Sequence, residues 1–207
     1  MGRKVIEESL NQYGKTWASG KYSYAGMNIP EEINHLERYQ GFVSNTPTCF
    51  ERSHLEGHVT ASALICDHNL QKVLLMHHKK LDKWLQMGGH ADGHPIPSEV
   101  AAKEAEEESG LTGLKFLSVD RQLTSVGSDS ELAPFDLDIH LIPERKGEPS
   151  HYHYDIRYLL MAPEGQKAVK NHESNGLEWF SLQEARTITD ERSMLRQFDK
   201  LDYIRTQ

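Results

Sequence analysis

The sequence Gly88-Gly89-His90-Ala91-Asp92-Gly93-His94 leads into a segment rich in glutamate and alanine that ends at Ser109-Gly110-Leu111. The glycine-rich part indicates a loop, and the part that follows has the composition of a short helix. Ser98 is the expected N-cap, Glu99 suits the first helical turn, and Gly110 suits the position just after the helix. The stretch therefore predicts a glycine-rich loop followed by a helix that ends at a glycine.

Three glutamates of this predicted helix, Glu104, Glu107 and Glu108, share one face. Residues three or four positions apart on a helix have Cβ atoms about 5–6 Å apart, so these carboxylates would repel one another. A divalent cation would turn the repulsion into binding, and clustered carboxylate oxygens suit a hard ion such as Mg²⁺ or Mn²⁺. The alternative is an acidic helix face that is simply exposed to solvent.

The composition excludes several classes of protein. The chain has 207 residues, of which 37% are hydrophobic and 26% charged, so it can bury a core. Its net charge of −8 argues against general nucleic-acid binding, because contact with a phosphate backbone needs a basic surface. No apolar run approaches the roughly 20 residues of a membrane span, and the N-terminus lacks the apolar centre of a signal peptide. With Cys49 and Cys66 expected as reduced thiols, the sequence predicts a cytoplasmic protein without a membrane segment.

The chain divides into two regions by its hydrophobic pattern. Residues 1–55 show apolar side chains at helical spacing, with one helix near the N-terminus and a second that starts at Pro30. We expect them to form a helical extension that packs on the main domain or on a partner subunit, which would make a homodimer. From residue 56 the pattern changes to strands, and we expect one domain over residues 56–207.

Strands and turns alternate through the second region. The predicted strands span residues 58–66, 72–78, 84–87, 114–125, 134–142, 151–161 and 177–182, and a helix over 190–203 follows. The first two strands are joined by the turn Asp67-His68-Asn69 and predict a hairpin. The third delivers the chain to the glycine pair Gly88-Gly89.

Two of these strands carry polar side chains on one face. Strict alternation places polar groups on one side of two probable neighbours: Asp136, Asp138 and His140 on one strand, and His151, His153, Asp155 and Arg157 on the other. Histidine and aspartate bind metals or transfer protons, and arginine binds phosphate oxygens with two N–H groups. We therefore expect the second set to bind substrate, although an exposed sheet face would show the same pattern. His90, inside the glycine loop, is a further candidate for a substrate contact.

The glycine loop and glutamate helix together resemble the Nudix box. That motif reads G, five residues, E, seven residues, R-E-U-x-E-E-x-G-U, with U an apolar residue. Counting back from Gly110-Leu111 gives the matching positions, which are Gly89, Glu104, Ala105, Glu107 and Glu108. Two positions differ: Pro95 stands where the family has its first glutamate, and Lys103 stands where it has arginine.

The resemblance implies an α+β fold, a Nudix-type α/β/α sandwich with a mixed sheet, to which the N-terminal helices are added. It implies a hydrolase that cleaves the diphosphate bond of a small molecule, a nucleoside diphosphate linked to another moiety, with water activated by Mg²⁺ or Mn²⁺. Carried over to this sequence, the metal ligands would be Glu104, Glu107 and Glu108, helped by a carbonyl of Gly89. Glu107 and Glu108 would serve catalysis, and Lys103 would take the orienting place of the arginine.

Two classes of function remain open at this stage. One is the metal-dependent hydrolase, and the other is a Nudix-fold module that binds a nucleotide or sugar-nucleotide without cleaving it. The complete set of helix acids favours the enzyme, because a sensor does not need three clustered carboxylates.

Overall fold

The structure is a computed structural model that describes residues 2–127, 132–145, 147–172 and 174–207. The α-helices of these ranges are α1 (Gly2–Tyr13), α2 (Ile29–Asn45), α3 (Pro97–Ser109), α4 (Leu182–Thr187) and α5 (Arg192–Thr206), and a π-helical turn, Gly14–Ala18, extends α1. The strands are β1 (Gly57–Cys66), β2 (Lys72–His78), β3 (Lys83–Leu85), β4 (Met87–His90), β5 (Lys115–Leu117), β6 (Leu123–Ser125), β7 (Asp136–Ile142), β8 (His151–Met161) and β9 (Ser174–Ser181).

All of these strands belong to one mixed sheet whose centre is the parallel pair β1–β8. The middle of β1, from Thr60 to Ala63, also pairs with β4. The end of β1 pairs with β2, which in turn pairs with β3 and β9. The first half of β8 pairs with β7, and its end pairs with β5, which forms a hairpin with β6. The predicted α+β sandwich with a mixed sheet and an N-terminal helical extension is confirmed.

The hairpin predicted from residues 58–66 and 72–78 is formed by β1 and β2. The strand predicted over 114–125, in contrast, is two short strands joined by a turn between Ser118 and Gln122. Arg121 in that turn has a φ of 60°, in the left-handed region that is uncommon for a residue with a side chain. No glycine or proline marks this turn, which explains why the sequence indicated one continuous strand.

The start of α3 also differs from the expectation. Ile96, with extended backbone, occupies the N-cap, and Pro97 occupies the first helical turn, where its missing N–H costs nothing. Ser98 is therefore inside the helix and does not cap it. At the other end Gly110 adopts a φ of 66°, so the predicted glycine stop is confirmed.

The N-terminal helices pack on the main domain. Ile6, Leu10 and Tyr13 of α1 are fully buried in the same core as β1 and α5. Trp17, in the π-helical turn, meets Tyr203 of α5 edge to face, with 5.9 Å between ring centroids. None of the helices in the described ranges is long and apolar enough to cross a membrane.

A buried network of charges joins the N-terminal helices to the sheet and to α5. Lys200 of α5 is fully buried, and its Nζ lies 2.7 Å from Asp136 of β7 and 3.0 Å from Glu32 of α2. Arg196, one turn earlier in α5, lies 2.8 Å from Asp136. Buried charges are tolerated only when they are paired and hydrogen-bonded, so each member of this network depends on the others.

Removing one member should therefore destabilise the fold. We predict that Lys200→Met lowers the free energy of unfolding by about 3–5 kcal/mol, because it leaves the buried Glu32 carboxylate without its ammonium partner. The control is Lys4→Met, since Lys4 is exposed and pairs with Glu8 within one helix, where such a change costs less than about 1 kcal/mol. Chemical denaturation of both variants measures the difference, and equal losses would contradict the network.

The network should also make the fold sensitive to acid. Burial alone would raise the pKa of Asp136, but Arg196 and Lys200 outweigh it and hold the pKa well below its usual range. The pKa of Asp138 is held low in the same way, against burial, by Arg157 and by a hydrogen bond to His140. Since the unfolded carboxyl titrates near about 3.9, the stabilisation is complete above about pH 5 and is lost progressively as the pH falls below about 4.

We predict that the urea midpoint falls steeply as the pH is lowered from about 4 to about 2, and that Asp138→Asn reduces the steepness because one low-pKa carboxyl is removed. Circular dichroism during urea titration gives the midpoints. A midpoint that stays constant over this range in the parent protein would exclude the effect.

Candidate functional site

The helix α3 lies over β1 and β4, and it approaches β4 at the two glycines. The Gly88 N–H donates to Glu108 Oε2 at 2.9 Å, which holds this buried carboxylate in place. At Gly89, a Cβ would lie 2.8 Å from Glu104 Cδ, so only glycine leaves room for the Glu104 side chain in its present position. The main-chain N–H of Gly88 and the missing side chain of Gly89 thus determine where two glutamates of α3 lie.

The three glutamates of α3 line one open cleft of about 210 Å³. Glu108 is buried, Glu104 is partly exposed, and Glu107 is the most exposed of the three. Asn171 and His172, which precede β9, complete the lining. Their segment reaches α3 because the Val169 N–H donates to the carbonyl of Ser109 at 2.7 Å.

Lys103 is the cation that accompanies the helix acids. Its Nζ lies 3.4 Å from Glu104 and 3.3 Å from Glu107, and 64% of its side chain is exposed. Hydrogen bonding to Glu107 and the charge of Glu104 raise the pKa of Lys103, so it stays positive. Because the lysine is exposed, these ion pairs add little to stability, but they place one positive charge beside the cleft.

The two polar strands are neighbours, as their patterns predicted. β7 and β8 pair so that Asp136 lies opposite Arg157, and His140 lies opposite His153. The opposite face is apolar and buried at its centre, although Leu141 and Tyr152 at one end are 54% and 40% exposed.

Arg157 and Asp155 are buried by this pairing. The Arg157 guanidinium, 3% exposed, donates to Asp155, Asp136 and Asp138 at 2.7–3.2 Å. Asp155, 4% exposed, also accepts hydrogen bonds from Thr60 and Ser62 of β1. The expected phosphate contact of Arg157 does not fit this placement, because its N–H groups already serve three carboxylates inside the protein.

The histidines predicted to bind substrate lie apart from the glutamates. Gly89 and His90 are consecutive in β4, so their side-chain directions point to opposite faces of the sheet. A Cβ built on Gly89 would point toward Glu104. The His90 ring instead packs against the His153 ring, with 5.0 Å between the two ring centroids. The structure therefore does not place the polar strand face in the same cleft as the helix acids.

Sequence reasoning missed Asn171 and His172 as cleft residues and His58 as a member of the histidine group. Asn171 and His172 stand in a loop without periodicity, and His58 begins an otherwise apolar strand. In the sequence, only the alternation of His58 with Thr60 and Ser62 along the strand indicated that the His58 side chain lies on the polar face of the sheet.

The family model of the NUDIX domain matches residues 56–199, well over half of the chain. The chain belongs to the NUDIX family. Membership supports a hydrolase of the pyrophosphohydrolase type, and NUDIX hydrolases generally use divalent metal ions. No curated protein matches the chain by sequence.

Solved NUDIX structures share the fold. A NUDIX-family hydrolase from Clostridium perfringens is 25% identical, with a TM-score of 0.52 over 70% of this chain and 96% of that one. An Ap4A hydrolase from C. elegans is 18% identical, with a TM-score of 0.51 over 70% of this chain and 94% of its own. The E. coli dihydroneopterin triphosphate pyrophosphohydrolase is 14% identical, with a TM-score of 0.51 over 69% and 92%. The last two support the fold alone.

The NUDIX box of this chain braces its loop without the first glutamate. Next to Pro95, His94 Nε2 lies 3.2 Å from a carboxylate oxygen of Glu99, and its Nδ1 accepts from the Ile96 N–H at 3.2 Å. The Gly93 N–H donates to the carbonyl of Phe50 at 2.8 Å. These contacts hold the loop to the start of α3 and to the segment before β1. They act in place of a glutamate side chain at position 95, since Pro95 has no side-chain hydrogen-bond acceptor.

The donor set of the cleft fits a divalent metal ion of the hard class. Three carboxylates line one open cleft, and the exposed Lys103 places an ammonium 3.4 Å from Glu104 and 3.3 Å from Glu107. Carboxylate oxygens are the ligands that Mg²⁺ and Mn²⁺ prefer. An exposed lysine can move away without cost when another cation neutralises the same acids.

The two glycines should respond differently to a methyl group. We predict that Gly88→Ala destabilises the NUDIX domain by about 1–3 kcal/mol, because the Cβ would lie 2.4 Å from Ser62 Cβ and 2.9 Å from the Ala61 carbonyl oxygen. Gly89→Ala should cost less than about 1 kcal/mol, since its Cβ meets only the flexible end of Glu104. Chemical denaturation ranks the variants, and the reverse order would contradict the observed close packing of Gly88 against β1.

Proposed function

We propose that this chain is a divalent-metal-dependent hydrolase that cleaves the diphosphate bond of a nucleoside diphosphate linked to another moiety. The observation that carries the proposal is the convergence of Glu104, Glu107 and Glu108 on one cleft beside the Gly88-Gly89 pair. Such a reaction needs a set of fixed oxygens that can concentrate positive charge where a diphosphate binds. Membership of the NUDIX family supports pyrophosphohydrolase activity in general.

The proposed ligands of Mg²⁺ or Mn²⁺ are Glu104, Glu107 and Glu108, with the main-chain carbonyl of Gly89. When bound, the ion neutralises the diphosphate, polarises the attacked phosphorus and lowers the pKa of water. The protein contributes rigidity: Glu108 is fixed by the Gly88 N–H, and Glu104 is packed against Gly89. The proton of the attacking water would pass to a cleft carboxylate that holds no metal, or to a nearby histidine.

Lys103 supplies local positive charge for an anionic substrate. The chain carries a net charge of −8, so its overall field repels phosphate esters. Lys103 stays protonated beside the cleft and is free to turn from Glu104 and Glu107 toward a phosphate oxygen. The same net charge supports a small-molecule substrate over a nucleic acid.

In this proposal, the buried Arg157 and Asp155 of the polar strand face position the strands around the site and do not contact the substrate. Arg157 and Asp155 link β1, β7 and β8 through hydrogen bonds. They thereby fix the position of β1, the strand with which β4 and its two glycines pair. Residues 1–55 are, in this proposal, an extension that braces the NUDIX domain of residues 56–207 through Glu32 and Lys200. We propose that the protein acts in the cytoplasm, where its thiols Cys49 and Cys66 stay reduced.

Hydrolysis of a panel of nucleoside diphosphate compounds with Mg²⁺ or Mn²⁺ tests the proposal. We expect Glu107→Gln and Glu108→Gln each to lower kcat/KM at least about a hundredfold, because each removes a carboxylate from the metal site. The matched control is Glu106→Gln on the same helix, which lies outside the cleft lining and should retain activity. In Glu108→Gln the amide oxygen can still accept from the Gly88 N–H, so the fold is preserved.

Running the panel in ¹⁸O-labelled water identifies the phosphorus that is attacked. Activity that survives both cleft substitutions would refute the metal assignment. No turnover of any compound, combined with tight nucleotide binding, would instead indicate a NUDIX-fold sensor.

A further inference from the structure

Five histidines gather on the face of the sheet that looks away from the glutamate cleft. They come from different strands, and their ring centroids lie 4.9–5.4 Å from at least one neighbour. The members of this histidine cluster are His58 on β1, His90 on β4, His140 on β7, and His151 and His153 on β8. Side chains carried by paired strands are held more rigidly than side chains on loops, which suits a preorganised site.

His58 lies at the centre of the cluster and is 2% exposed. Among the described residues, neither of its ring nitrogens makes a hydrogen bond of standard geometry. Its ring centroid lies 4.9 Å from that of His151 and 5.0 Å from that of His153. A buried imidazole whose nitrogens lack well-formed hydrogen bonds is a candidate ligand for an ion.

His151 and His153 have the spacing of two ligands that share one ion. The His151 Nδ1 lies 2.8 Å from the Pro149 carbonyl oxygen, so Nδ1 carries the proton and donates it. The Nε2 lone pair is thereby left facing His153 Nε2, at 3.3 Å. Two nitrogens bound to a tetrahedral Zn²⁺ at about 2.0–2.1 Å also stand about 3.3–3.4 Å apart.

We propose that His58, His151 and His153 form a binding site for a transition-metal ion of the Zn²⁺ class, separate from the glutamate cleft. One candidate ligand nitrogen from each residue lies within 4.8 Å of the others. Imidazole nitrogen selects zinc-like ions, whereas Mg²⁺ prefers oxygen, so the two sites take different metals.

The surroundings of the cluster support this role. Three histidine ligands leave a fourth tetrahedral position, and the His90 ring lies 5.1 Å from His58 on the same face. His140, beside His153, is oriented by Asp138 at 2.9 Å, the kind of carboxylate contact that fixes histidines around metals. His151 and His153 are partly exposed, which gives an ion access from solvent.

Isothermal titration of the EDTA-treated full-length protein with ZnCl₂, in excess Mg²⁺, tests the site. We expect one tight equivalent in the parent protein, in the surface control His68→Ala and in Glu107→Gln. His151→Ala and His153→Ala should each weaken binding at least about tenfold, since even loss of an outer contact costs about 10–100-fold. These two residues are partly exposed, so their variants test the site without emptying the core at His58.

Circular dichroism confirms that each variant is folded before titration. Absence of tight Zn²⁺ binding in the parent protein would overturn the proposal, as would affinity unchanged in both histidine variants. Binding lost in Glu107→Gln but kept in His151→Ala would place the ion in the carboxylate cleft instead. Because no hydrolysis is measured, the result does not depend on the proposed function.

Discussion

The close approach of α3 to the glycine pair of β4 is the constraint on which the candidate site depends. The Gly88 N–H donates to Glu108, and without a side chain at Gly89 the helix lies near enough for Glu104 to pack where a Cβ would stand. On an isolated helix the three carboxylates would repel one another. Packing against β4 holds them close together in spite of this repulsion, in an arrangement that a divalent cation can bind. The glycines therefore matter for the chemistry as well as for the turn.

The charged residues of the chain divide into two kinds with different physical roles. Lys200, Arg196 and Arg157 are buried and hold helices to strands, and their burial explains why they are poorly placed to meet a substrate. Lys103 and Glu107 are exposed, contribute little to stability, and can rearrange around a ligand. The sequence pattern does not distinguish the two kinds of charged residue, because both kinds occur in alternating or helical patterns. They differ in burial.

Much of the fold follows from local pattern. Alternation along 134–142 and 151–161 correctly predicted two neighbouring strands, and the composition of α3 with Gly110 predicted the helix and its end. Pro97 moved the start of α3 upstream of Ser98, since proline is favoured in the first turn. The sequence could not show that Arg157 is buried under α5, or that Asn171 and His172 reach the cleft, because both depend on long-range packing.

One strand, β4, separates the glutamate cleft from the histidine cluster, and this separation is the central claim of the account. Anomalous diffraction from a crystal grown with Mn²⁺ tests it most directly, because Mn²⁺ prefers oxygen ligands. The account predicts an anomalous peak among the carboxylates of Glu104, Glu107 and Glu108. A Mn²⁺ peak on the histidine face, with none at the glutamates, would contradict it.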